Sequence, residues 1–187
     1  MIYENDLKGS KRKENLKLSQ KVFTFDSIYD IIDIGGENMS KWDSRFIEMA
    51  KLVSTWSSCI RHNVGCVIVR DKRILTTGYN GAPSGVDTCK DKEICIRDTL
   101  KIESGTKQEL CYAVHAEQNA IVQAAKLGLS LEGATLYCTH RPCSICAKLI
   151  INSGIKRVVY LTEYPDNFAQ DLLLTAGIKI EKMEELI

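Results

Sequence analysis

The chain has 187 residues, of which 25 are basic and 24 acidic, and its formal net charge is +1 at pH 7. This length predicts one domain with room for a proper core, and the balanced charge gives no electrostatic reason to expect a nucleic acid or an anionic membrane as the main partner. No apolar run approaches the length of a membrane span, and the charged N-terminus lacks the apolar segment of a secretory signal, so we expect a cytoplasmic protein.

The first part of the chain differs in composition from the rest. Residues 1–38 are predicted to be an N-terminal extension, flexible in its polar first half and partly helical after Asp26, where apolar residues recur at helical spacing. The remaining residues, 39–187, are predicted to form the domain. The sequence leaves open whether Met39 is the start of the core protein.

The domain is predicted to open with a helix and a hairpin. Ser40 and Asp43 have the spacing of a capping box, and apolar residues then recur on one face of a helix over residues 41–57. Residues 64–69 and 73–79 are rich in β-formers and predict a hairpin. A turn-rich loop, Asn80 to Gly85, follows.

Residues 86–112 form a long polar insert that contains Cys89, Cys95 and Cys111. A loop of this length in a compact domain is either functional or held by an additional constraint. A metal ion bound by the cysteines would be such a constraint.

Helices and strands are predicted to alternate after residue 113. The expected helices are 115–128, 142–152 and 166–176, and the expected strands are 134–139, 157–161 and 178–180. This alternation predicts parallel strand pairing and a three-layer α/β/α sandwich. Sheets of this kind bind ligands at the carboxyl ends of their strands.

Two short motifs provide the candidate chemistry. His115, Cys143 and Cys146 are three soft or borderline donors, and a catalytic zinc takes three ligands from protein and keeps a fourth position for water. Glu117 would then lie close to the metal without binding it, where its carboxylate could move protons.

Local geometry favours helix starts for both motifs. Pro142 suits the first turn of a helix, and Cys143 and Cys146, three apart, would share one face near the positive end of the helix dipole. His115 and Glu117 are two apart and can converge only where side chains project past a helix end. Taken singly, a histidine is more often a core or surface residue, and a C-x-x-C pair is equally typical of redox or structural zinc sites. Together, the fragments favour a catalytic zinc.

Six of the eight cysteines lie outside the C-x-x-C pair. Cys66 and Cys138 lie in apolar strand-like runs and are expected in the core. Cys59, Cys89, Cys95 and Cys111 are left, and four is the number of ligands in a closed structural zinc site. The alternative is that these four are free thiols.

Residues 40–183 resemble the deoxycytidylate (dCMP) deaminase family of the cytidine-deaminase-like superfamily. The matching stretches are Val64-Gly65, Gly78 to Gly85, His115 to Ile121, Pro142 to Lys148, and the segment around Tyr164. The resemblance implies a mixed five-stranded sheet between helices and a homo-oligomer, often a hexamer. It also implies that His115, Cys143 and Cys146 bind zinc.

The resemblance further implies substrate contacts and regulators. Asn80 would contact the deoxyribose, Ala116 and Tyr164 would line the pocket, and Lys126 stands where some members have an arginine that binds the 5′-phosphate. Cys59 matches a position that binds a second, structural zinc in some relatives, which favours the four-cysteine site. Relatives are often activated by dCTP and inhibited by dTTP.

The expected function is therefore the zinc-dependent hydrolytic deamination of dCMP to dUMP and ammonia, which would supply dTMP synthesis. Zinc hydroxide would attack C4 of the base while Glu117 shuttles protons. The alternatives are deamination of cytidine, dCTP, a riboflavin precursor or adenosine in tRNA, and a zinc-binding scaffold without catalysis. His62 is expected to face solvent, and His140 to lie near the metal or on the surface. Arg141 could reach a phosphate, but a surface position is the preferred expectation.

Overall fold

The computed structural model describes residues 40–184. The predicted extension, residues 1–38, lies outside the described residues. The helices are α1 (Lys41–Ser54), α2 (Cys89–Lys92), α3 (Ile96–Thr99), α4 (Ala116–Lys126), α5 (Ser144–Asn152) and α6 (Asn167–Thr175). The strands are β1 (Gly65–Arg70), β2 (Arg73–Tyr79), β3 (Thr135–His140), β4 (Arg157–Thr162) and β5 (Lys179–Lys182). None of the helices described is both long enough and apolar enough to cross a membrane.

Within residues 40–184 the five strands form one mixed sheet in the order β2-β1-β3-β4-β5. Strand β1 pairs antiparallel with both β2 and β3, whereas β3, β4 and β5 run parallel. The mixed five-stranded sheet expected from the resemblance is therefore confirmed. The parallel pairs bring the carboxyl ends of β3 and β4 to the same edge.

Successive side chains of β1 point to opposite faces of the sheet, so the core has two layers. Cys66 and Ile68 pack on the face covered by α4, α5 and α6, and Val67 and Val69 pack on the face covered by α1. The sheet is thus buried on both sides, as the predicted α/β/α sandwich requires. Cys66 is fully buried, as predicted for a core thiol, and pairs in register with Cys138.

Helix α1 begins with the predicted capping box between Ser40 and Asp43 but ends at Ser54, three residues earlier than expected. Its backbone lies against β1: a Cβ added to Gly65 would lie 2.1 Å from the carbonyl oxygen of Ala50. Beyond Ser54 the N–H groups of Thr55, Trp56 and Ser57 bond to carbonyl oxygens three residues back instead of four, so the chain continues as tighter turns and not as α-helix.

A buried polar network ties α1 to the sheet. Asp43 is 2% exposed and accepts hydrogen bonds from the Tyr137 hydroxyl at 2.6 Å and from Arg157 at 2.7 Å. Arg157 also contacts Glu181 of β5. Burial by itself would raise the pKa of Asp43, but the hydrogen bonds from Arg157 and Tyr137 outweigh it and lower the pKa to about 2.

The insert, residues 86–112, folds as the short helices α2 and α3 and a 3₁₀ turn at Gln108–Leu110. The side chain of Gln108 donates to the Tyr164 hydroxyl at 3.3 Å. The insert therefore packs against the loop that follows β4, beside the edge where the parallel strands end.

Candidate metal centre

His115 lies at the start of α4, as its spacing to Glu117 predicted. It is the N-cap residue, with extended backbone, and its N–H donates to the Gln118 side chain at 2.9 Å. Because the helix begins at Ala116, His115 and Glu117 can both face the space beyond the helix end.

Cys143 lies at the start of α5 in the same way. The helix begins at Ser144, so Cys143 is the N-cap and Cys146 lies one turn inside. The prediction that Pro142 occupies the first turn is wrong, because Pro142 lies before the N-cap residue. The reason is that Asp166, at the N-terminus of α6, accepts a hydrogen bond from the Ser144 N–H at 2.8 Å. This N–H is one of those at a helix start that have no partner within the helix.

The three predicted donors converge. Nδ1 of His115 lies 3.4 Å from Sγ of Cys143 and 3.3 Å from Sγ of Cys146. The three ligand atoms all lie within 4.8 Å of one another, and no other group of three or more possible metal ligands in residues 40–184 does so.

The chemistry of these donors fits zinc. Contact with Cys146, followed by contact with His115, lowers the pKa of Cys143 to about 4 despite its burial, whereas the same contact raises the pKa of Cys146. The thiolate is the form that binds metal, and a bound ion would favour it at both cysteines. Two sulfurs and one imidazole nitrogen are typical zinc ligands, and three of them leave one tetrahedral position for a water molecule.

Glu117 is 4% exposed and lines the same cavity as His115 and Cys143. Burial raises the pKa of its carboxyl group, although the charge of His115 acts in the opposite direction. A raised pKa makes the carboxylate a stronger base than an exposed glutamate, which suits general acid–base catalysis.

The cavity in front of these residues has a volume of about 290 Å³. Of the predicted substrate contacts, Asn80, Ala116 and Tyr164 line it. Lys126 does not: it is exposed in the last turn of α4, and His115 precedes the first turn of that helix. The predicted helix 115–128, with His115 at its start, already places Lys126 about three turns from the donors, and this outweighs the match of Lys126 to a family position.

The side chain of Asn80 is largely engaged with the protein itself. Its Oδ1 accepts the Val64 N–H at 2.9 Å, and its Nδ2 donates to the His62 carbonyl at 2.8 Å. The amide thereby holds the segment before β1 against the loop after β2, and one N–H of the amide remains for a ligand.

Sequence reasoning missed two of the three arginines of the cavity and favoured a surface position for the third, Arg141. Arg61, Arg97 and Arg141 all line it. Arg141 was expected on the surface but is only 8% exposed. His62 is exposed, as expected, yet it also lines the cavity, and burial together with the charges of Arg61 and Arg97 lowers its pKa.

Only a weak signal could have identified these arginines. Arg61 shortly precedes β1, and Arg141 directly follows β3, at positions from which side chains reach a strand edge. Arg97 lies in a polar insert where neither periodicity nor spacing distinguishes it.

The four remaining cysteines share one neighbourhood. Cys59, Cys89 and Cys95 are buried and Cys111 is half-buried. Burial raises the pKa of Cys89, and the charges of the other three thiols raise it further. No three of the four Sγ atoms gather within 4.8 Å of one another, so the four-cysteine zinc site stays a prediction.

Comparisons of this chain with protein families, with known sequences and with solved structures agree with one another. A family model of the cytidine and deoxycytidylate deaminase zinc-binding region matches residues 40–162. The deoxycytidylate deaminase of Schizosaccharomyces pombe is 39% identical over 142 residues, which cover 75% of this chain and 44% of the yeast protein. This chain thus spans less than half the length of that relative.

Two phage proteins are matched over nearly their full length. The deoxycytidylate deaminase of Mycobacterium phage D29 is 41% identical over 126 residues, covering 65% of this chain and 95% of the phage protein. The crystal structure of the dCMP deaminase from cyanophage S-TIM5 in complex with dCMP and dUMP has a TM-score of 0.64 and 34% identity. It covers 78% of this chain and 100% of that chain.

Proposed function

This chain belongs to the cytidine and deoxycytidylate deaminase zinc-binding family, and we propose that it hydrolyses dCMP to dUMP and ammonia. One observation carries the proposal: His115, Cys143 and Cys146 bring their donor atoms together beside the buried carboxyl group of Glu117. The cyanophage enzyme, whose structure contains dCMP and dUMP, aligns over its whole length and supports dCMP as the substrate.

His115, through Nδ1, and the thiolates of Cys143 and Cys146 would hold zinc. When bound, zinc supplies the Lewis acidity that makes water nucleophilic near neutral pH. The two thiolates offset the charge of the metal, and the neutral imidazole adds none. His115 and Cys143 are the N-cap residues of α4 and α5, and these two helices hold their side chains in place.

Glu117 would move the protons of the reaction. It would take one from the attacking water and deliver it to N3 of cytosine as oxygen adds to C4. It would then take the proton of the new C4 hydroxyl and give it to the amino group, so that the C4 carbonyl forms, the C4–N bond breaks and ammonia leaves. A group with this role contributes roughly 10²–10⁴ to the rate.

Finer features of the protein are also part of the proposal. We infer a cytoplasmic protein from the sequence and a homo-oligomer of the hexameric kind from the resemblance. A second zinc at Cys59, Cys89, Cys95 and Cys111 is supported by their shared neighbourhood. Activation by dCTP and inhibition by dTTP rest on the resemblance alone.

The test is ammonia release by the zinc-loaded full chain from dCMP, with deoxycytidine, CMP and dCTP as parallel substrates. We expect turnover of dCMP well above the other three. Preferred turnover of another cytosine compound would retain the zinc chemistry and reject dCMP as the substrate. A protein that binds zinc but releases ammonia from none of the four would favour the scaffold or tRNA alternatives.

A further inference from the structure

A buried arginine links the ends of β3 and β4, the two parallel strands that end beside the cavity. Arg141 directly follows β3, is buried and lines the cavity. Its backbone N–H donates to the carbonyl of Thr162, the last residue of β4, at 2.9 Å. The backbone of Arg141 is therefore fixed to β4, and its side chain extends to the loop that follows that strand.

The guanidinium of Arg141 contacts both this loop and α6. One terminal nitrogen donates to the Gln170 side chain and the other to the Tyr164 carbonyl, both at 2.5 Å. Nε lies 3.3 Å from the carboxylate of Glu163, whose side chain is 50% exposed. The charge is thus compensated within the protein, and the planar fork holds its two acceptors in a fixed geometry.

Tyr164 is held at its backbone and at its hydroxyl group. Its carbonyl accepts the Arg141 guanidinium and also the Asp166 N–H, the latter at 2.8 Å. Its hydroxyl accepts a hydrogen bond from the Gln108 side chain at 3.3 Å. The side chain is half-buried and lines the cavity in front of the metal donors. The position of this loop therefore sets the shape of the cavity wall.

The contacts that fix Tyr164 differ in strength. The hydrogen bond from Gln108 is long and joins two neutral groups, whereas the bond from Arg141 is short and its donor is charged. Charge-assisted hydrogen bonds are roughly twice as strong as neutral ones. The loop after β4 thus depends more on Arg141 than on the insert.

We propose that Arg141 is a positioning residue for the reaction, which holds Tyr164 in the cavity wall beside the metal donors. The inference rests on the proposed function, since the same cavity would hold the substrate. Without the guanidinium, the Tyr164 carbonyl would lose its charged donor and the ring could leave the wall. The cytosine base would then have more space, and fewer bound molecules would place C4 correctly for attack.

The test is a double-mutant cycle of Arg141→Gln, Tyr164→Ala and the double variant. For each zinc-loaded full chain, kcat/KM on dCMP is measured per bound zinc. We expect each single change to lower kcat/KM by about tenfold to a hundredfold, because a displacement of about 1 Å can cost this much. Since Arg141 acts through Tyr164, the double variant should have nearly the kcat/KM of Tyr164→Ala alone.

Arg70→Gln is the matched control. The guanidinium of Arg70 also donates to backbone carbonyls, those of Ser130 and Glu132, at 3.0 and 3.1 Å, but Arg70 does not line the cavity. We expect this variant to keep the wild-type kcat/KM. Arg141→Lys, whose ammonium group lacks the planar fork, should lose less than Arg141→Gln because it keeps a charged donor.

A merely structural role for Arg141 would give a different result. The loss of Arg141 would then lower kcat/KM by the same factor with or without the Tyr164 ring, and the two single effects would multiply in the double variant. That outcome, or a wild-type kcat/KM in either single variant, would overturn the inference. If circular dichroism shows that Arg141→Gln does not fold, the cycle is measured with Arg141→Lys, where multiplied effects would overturn the inference equally.

Equilibrium binding separates this inference from the proposed reaction, because calorimetric titration with dUMP needs no turnover. Suppose that no cytosine compound is deaminated, but that Arg141→Gln weakens dUMP binding in the wild-type chain and not in Tyr164→Ala. The proposed function then fails and the positioning role stands. If dCMP is deaminated and the two changes weaken dUMP binding independently, the proposed function stands and the positioning role fails.

Discussion

The carboxylate of Asp166 accepts the backbone N–H of Ser144 at 2.8 Å, at the first residue of the helix that carries Cys146. The same carboxylate accepts the Ala169 N–H at 3.0 Å and so caps its own helix, α6. One side chain therefore accepts hydrogen bonds from backbone N–H groups in the first turns of two helices. The position of Cys143, directly before Ser144, depends on this contact.

We predict that Asp166→Ala destabilises the protein by about 1–2 kcal/mol, the usual cost of losing an N-cap side chain, and weakens zinc binding. Urea unfolding and a competition assay with a chelator measure the two effects. Asp166→Asn, which retains an acceptor oxygen, should lose less of both. Zinc affinity equal to wild type in Asp166→Ala would show that Cys143 is held independently of Asp166.

Substitutions of Glu117 and His115 are predicted to have different effects, the first on the reaction rate and the second on metal binding. Glu117→Gln should keep its zinc and lose roughly 10²–10⁴ in kcat, because the amide cannot take up a proton. His115→Ala should lose the metal. Metal analysis and ammonia release on the same preparations measure both, and a near-normal kcat in Glu117→Gln would reject the role assigned to that residue.

The Asp43 network predicts a defined acid sensitivity. The pKa of Asp43 is lowered to about 2 from 3.8, so its contribution to stability is complete above about pH 4 and is lost as the pH falls towards 2. The contribution amounts to about 2 kcal/mol.

The free energy of unfolding of wild type and Asp43→Asn should therefore differ most above pH 4, and the difference should shrink by about 2 kcal/mol on the way to pH 2. Denaturant titrations at several pH values measure it. Glu48→Gln, an exposed change on the same helix, is the control. A difference that stays constant across this range would mean that the native pKa of Asp43 is not lowered.

Gly78 is predicted to be intolerant of any side chain. A Cβ at this position would lie 2.1 Å from the Ala116 carbonyl oxygen and 2.5 Å from the Ala120 nitrogen, both backbone atoms of α4. Gly78→Ala should push α4 away from β2, displace His115 and lower zinc occupancy as well as melting temperature.

Gly85→Ala is the comparison for Gly78→Ala. An added Cβ at Gly85 meets nothing within 4 Å, and only the positive φ of 83° opposes it. We expect Gly85→Ala to keep full zinc occupancy. Equal zinc occupancy in both variants would argue against the close packing of β2 on α4.

Much of the fold follows from local patterns in the sequence. The hairpin of β1 and β2 and the capping box at Ser40 required no tertiary information, and the spacing of His115 and Glu117 correctly indicated a helix start. The mixed sheet was expected from the resemblance. The start of α5 was misplaced because its cap, Asp166, comes from a residue 22 positions later in the chain.

The cavity wall could not be derived in the same way. Arg97 is buried because the carbonyl oxygens of Glu103 and Thr106 surround its guanidinium, and a polar insert carries no pattern that predicts such an arrangement. Lys126 was expected at the phosphate on the basis of its alignment position. Its exposure at the far end of α4 agrees with the predicted helix 115–128, whose start carries His115, so the helix prediction was the better guide here than the match to a family position.

The separation of the metal donors along the chain has a consequence for folding. His115 and Cys143 are 28 positions apart, and the segment between them contains α4 and β3. An ion held by both would act as a cross-link that restricts the unfolded chain and adds its binding free energy to the stability of that segment. Amide hydrogens of β3 should then exchange more slowly in the metal-loaded protein, although no residue between Thr135 and His140 is among the three donors that gather there.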